Sequence, residues 1–109
     1  MAAWAVRVVL STAPDEDEAR RLARALVEAG LAACVNLVPG LTSVYRWEGA
    51  VEEASEVLLV IKARAESLGE LERFLDREHP YEVFECVALA PAAVSSAYLT
   101  WLLESGREA

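Results

Sequence analysis

Few side chains in this sequence could do chemistry. The only histidine, His79, sits in the run His79-Pro80-Tyr81-Glu82, and the two cysteines, Cys34 and Cys86, lie far apart within apolar runs. A Ser–His or Cys–His nucleophile pair would have to use His79, and neither a G-x-S-x-G elbow nor a glycine-rich phosphate loop is present. A closed zinc site needs four ligands, and Cys34, Cys86 and His79 lack the C-x-x-C spacing that would bring them together. Lys62 interrupts the apolar run Leu58-Leu59-Val60-Ile61, and Glu85 stands in the mirror position within Val83-Phe84-Glu85-Cys86-Val87. A charge inside a strand core is costly unless paired. The two are therefore candidates for a pair within one chain or across an interface, for snorkelling to an edge, or, for Lys62, for an anion-binding cleft. The acidic run Asp15-Glu16-Asp17-Glu18 lacks the glycine and distal glutamate of a calcium loop and reads as charge at the positive end of a helix dipole. His79 reads as a cap at a helix C-terminus or as a ligand or proton handler at a cleft rim. Each cysteine reads as a small buried hydrophobe.

The elements that must position these groups are set by composition and periodicity. The chain has 109 residues, 55% apolar, with 18 acidic and 10 basic side chains and a net charge of −8. That is one domain, residues 1–109, with a radius of gyration of about 13 Å and a core that needs no staples. The negative balance disfavours nucleic acid and anionic membrane surfaces. No stretch approaches the ~20 apolar residues of a membrane span, and Met1-Ala2-Ala3-Trp4 does not open a signal peptide. Free thiols in a reducing cytoplasm are expected. Nine of the ten basic residues are Arg, Asn36 is the single Asn and Gln is absent, a pattern that fits heat adaptation or high-GC codon usage.

Trp4 to Ser11 reads as a strand. Thr12 with Asp15 resembles a capping box opening a helix whose apolar face is Ala19, Leu22, Ala23, Leu26 and Ala29, closed by Gly30. A second strand spans about Leu31 to Trp47, with Pro39-Gly40 predicting a kink or bulge. Glu48-Gly49 forms a tight turn into a third strand, about Val51 to Ala65. Ser67 starts a second helix, with Glu70 at the capping-box position and Leu68, Leu71, Phe74 and Leu75 as its stripe, stopped at His79-Pro80. Val83 to Ala90 is the fourth strand, and Ser95 or Ser96 caps a last helix ending at Gly106. The order β-α-β-β-α-β plus a terminal helix is an α+β, ferredoxin-like split β-α-β with an antiparallel sheet.

Two features then call for a partner. The third strand is apolar on both parities, which expects cover on both faces. Strands two and three, about 15 residues each, would run roughly 50 Å at ~3.3 Å per residue, against about 34 Å for a sphere of this chain's size. The hairpin must bend, kinked at Pro39, or project and pair with another copy.

An ordered set of residues carries a resemblance. It comprises Thr12-Ala13-Pro14, Ala32-Ala33-Cys34-Val35-Asn36, Pro39-Gly40, Ser43, Tyr45 and Trp47-Glu48-Gly49. It continues with Glu56, Lys62, His79-Pro80-Tyr81-Glu82, Glu85 and Tyr98-Leu99-Thr100-Trp101. Taken in order, these resemble the CutA divalent-cation tolerance family, from about Val9 to Leu102. The resemblance implies a tight homotrimer similar to the PII signalling proteins, a cytoplasmic location, a role in tolerance of copper and other divalent metals, and no defined reaction. In some relatives copper ligation is attributed to a Cys and a His-His pair at positions that here are Ser11, Glu78 and His79. That set is one imidazole, a carboxylate and a hydroxyl, which suits harder cations better than copper. Three readings follow: a trimeric metal-tolerance protein, a PII-like sensor binding an organic anion in inter-subunit clefts near Lys62, Tyr81 and Glu85, and a ligand-free scaffold.

Overall fold

The computed structural model describes residues 3–105. A 3-10 turn, Ala3–Ala5, leads into β1, Val6–Ala13; α1 is Glu16–Glu28, β2 Cys34–Trp47 and β3 Ala50–Arg64. A second 3-10 turn, Ala65–Ser67, enters α2, Leu68–Glu78, followed by β4, Val87–Leu89, and α3, Ser96–Ser105. The sheet order is β2-β3-β1-β4, every pair antiparallel, the split β-α-β arrangement expected from the element order. The helix end expected at Gly106 lies outside the described residues.

Alternation along the central strands sorts the core. Val9, Ala13, Val57, Leu59 and Ile61 point to one face and pack under α1, through Ala19, Leu22 and Leu26, and under α2, through Leu71, Phe74 and Leu75. The opposite parity holds a smaller cluster in which Val6 meets Leu99 and Leu102 of α3. α3 covers only that end. Beyond it Leu10, Leu58 and Val60 are half-buried, while Val38, Val87 and Leu89 are exposed. All three tryptophans also face out, Trp4 at 73%, Trp47 at 46% and Trp101 at 44% exposure.

The hairpin projects. β1 pairs with β3 only from Val57 to Arg64, whereas β2 and β3 stay paired out to Trp47↔Ala50. Residues 41–47 and 50–56 thus form a two-stranded arm, and the molecule measures 46 × 27 × 24 Å. The register shifts between Val38 and Leu41, where Gly40 has φ +77°, the bulge expected at Pro39-Gly40. Glu48 and Gly49 both have positive φ, as a two-residue hairpin turn of the primed type requires.

Several boundaries depart from the expected ones. Trp4 belongs to the 3-10 turn, and β1 runs on to Ala13 because Thr12 and Ala13 pair with Leu58 and Val57. Thr12 is therefore committed to the ladder, and Asp15 caps α1, its carboxylate accepting from Glu18 N–H at 2.8 Å. Asp15→Ala should cost about 1 kcal/mol of stability, read by chemical denaturation, with Thr12 making no cap contribution. β2 starts at Cys34 because the N–H groups of Leu31 and Ala32 turn back onto Leu26 O behind Gly30, whose φ is +72°. Ser67 makes no side-chain cap bond, since a 3-10 turn replaces the box. The fourth strand shrinks to Val87–Leu89 because Phe84 and Cys86 are drawn onto the main core instead of the ladder.

Candidate functional site

Two neighbourhoods hold the side chains singled out by the sequence. The first is the end of α2. His79 follows the helix, 8% exposed. Its Nδ1 accepts from Tyr81 N–H at 3.0 Å, so Nε2 carries the proton and donates to Thr12 O at 2.8 Å, a tautomer assigned from these partners. The ring stacks on Phe84 at 5.7 Å. His79 thereby ties the segment after α2 to the end of β1. Glu78 is taken up by Arg21 of α1, whose Nη1 donates to Oε1 at 3.2 Å while Nη2 donates to the Glu78 carbonyl at 2.6 Å. Arg21 also meets Glu18 at 2.9 Å, and that bond, with Glu78 adding to it, raises the guanidinium above its usual value. Ser11 is fully buried on β1 opposite Leu59, its hydroxyl without a hydrogen-bond partner.

These three positions do not present a metal with a free ligand set. Both nitrogens of His79 are committed, Glu78 is held by arginine, and Ser11 offers a buried neutral hydroxyl. Among the described residues no group of three or more His, Cys, Asp or Glu is placed to hold an ion.

The second neighbourhood is a cleft of about 740 Å³ between one face of the arm and residues 80–85. Its closure depends on Tyr81, whose hydroxyl donates to Glu56 Oε2 at 2.8 Å. Glu52, Ala54 and Glu56 alternate along β3 and so share one face of the arm. Glu82 and Glu85 come from the opposite wall. Aromatic surface is supplied by Tyr45, Trp47 and Tyr81, and among the described residues no Lys or Arg lines the cleft.

Of the residues expected at a cleft, Tyr81 and Glu85 lie here and Lys62 does not. Lys62 instead donates to Asn36, across from Cys34 in the β2–β3 register. Within the chain Lys62 and Glu85 are not paired, and Glu85 makes no ion pair among the described residues. The organic-anion cleft expected near Lys62, Tyr81 and Glu85 is one between subunits, and within one chain Lys62 lies apart from Tyr81 and Glu85. Glu52 was not singled out in the sequence, although the alternation Glu52-x-Ala54-x-Glu56 opposite Tyr45 was a signal for it, whereas Glu82 stood in the run His79-Pro80-Tyr81-Glu82 without a role of its own.

Both cysteines are free and half-buried rather than fully enclosed. Burial, with Glu72 adding to it, pushes the Cys86 thiol up. Tyr98 is raised by burial and then by its contact with Cys34. Tyr81 is raised first by burial, then by the hydrogen bond and charge of Glu56. A phenol raised above its usual value of 10.0 binds its proton more tightly when folded, so its stabilisation is intact below that pH and is lost as pH climbs beyond it. An alkaline titration of phenolate absorbance should show late-ionising tyrosine, and Tyr81→Phe should remove one late step.

The sequence matches the model of the CutA1 divalent ion tolerance protein family over residues 7–105. It is 51% identical over 98 residues to the divalent-cation tolerance protein CutA of Thermus thermophilus, covering 90% of this chain and 95% of that protein. It is 45% identical over 97 residues to protein CutA of Mus musculus, of whose length it spans 55%. The solved divalent cation tolerance protein (Cut A1) from Thermus thermophilus superposes with a TM-score of 0.89 at 50% identity, covering 92% of this chain and 97% of that one. A projecting arm, a split β-α-β sheet and a match along nearly the whole sequence lead to one conclusion: the chain belongs to the CutA1 divalent ion tolerance family.

Proposed function

We propose that the protein acts as a homotrimer in tolerance of divalent cations, without a reaction of its own. The reading is carried by family membership that spans the arm and the sheet together, residues 7–105. Physical support comes from the surfaces a single chain leaves open. The arm offers unpaired strand edges, and the sheet face beyond α3 exposes Val38, Val87 and Leu89. Bare edges and two-sided apolar strands are resolved by pairing and packing against further copies.

Tolerance in this reading does not run through copper held at Ser11, Glu78 and His79, because both His79 nitrogens and one Glu78 carboxylate oxygen are taken up by the fold and the Ser11 hydroxyl is sealed inside it. Calorimetric titration with copper should give the same affinity for the wild type and for His79→Ala, provided the variant keeps its fold by circular dichroism. A tenfold loss in the variant would restore His79 as a ligand. The function itself is tested by growth in copper. In a bacterial strain lacking its own homologue, this gene should restore growth, and sedimentation of the purified protein should report about 36 kDa, three times the 11.9 kDa chain. A stable 11.9 kDa species, or no growth benefit at any copper concentration, would overturn the reading.

A further inference from the structure

We draw no further inference here: the strongest candidate, the cluster of Cys34, Asn36, Lys62 and Tyr98 where the start of β2 meets α3, lies on the sheet face that further copies of the chain would close, and nothing in the structure shows what meets Lys62 there.

Discussion

Leu59→Ala should lower the unfolding free energy by about 3 kcal/mol, within the ~2–5 kcal/mol span of buried leucine truncations. Leu59 lies in the middle of a central strand, wholly buried, in the cluster shared by α1, α2 and the sheet. Its cross-strand neighbours are Ser11 on β1 and Leu37 on β2. Ser11 is small and its hydroxyl already lacks a partner, so neither backbone nor side chain on that side can move in to fill the space. The expected measurement is a lower denaturant midpoint at unchanged slope, compared at one protomer concentration because assembly would couple to unfolding. A loss under about 1 kcal/mol would show that the helices collapse onto the gap.

Val60→Glu, one residue along the same strand, should act on a different quantity. Val60 points to the opposite face, between Leu10 and Asn36 in the register, where α3 gives out and the side chain is half-buried. In an isolated chain a carboxylate there reaches water. In a trimer closed over that face it would be an unpaired buried charge, costing several kcal/mol at each copy. Sedimentation should therefore shift from about 36 kDa towards the 11.9 kDa chain, with the far-ultraviolet circular dichroism retained. A variant that stays at the trimer mass would place the seam on another surface.

What the sequence made legible was whatever is decided locally. The positive φ at Gly30 and Gly40, the turn at Glu48-Gly49 and the helix stripes follow from backbone sterics and a period of 3.6. The overlong hairpin followed from counting residues against the size of the globule. The short fourth strand did not, because Val83–Val87 looks like a strand until Phe84 and Cys86 find the core. His79 was legible as a residue of interest but not in its role. Its Nε2 meets a carbonyl 67 positions away, a contact no spacing rule contains. The acidic cleft was half legible. Tyr81, Glu56 and Glu85 each stand out in the sequence, but the tyrosine–glutamate bond that closes the cleft joins residues 25 apart. Lys62 was legible as a charge in a strand that needs a partner, but no spacing rule showed that Asn36 on the neighbouring strand takes it up within the chain.

The outward placement of all three indoles also gives the molecule its own optical reporter. Emission from Trp4, Trp47 and Trp101 in a dilute, separated chain would peak at the long wavelengths of water-relaxed indole. Every process that brings another surface over them must move the spectrum to the blue. A dilution series of native fluorescence would then follow assembly without a label, and Trp47, standing alone on the arm, would report that limb apart from the two near the chain ends.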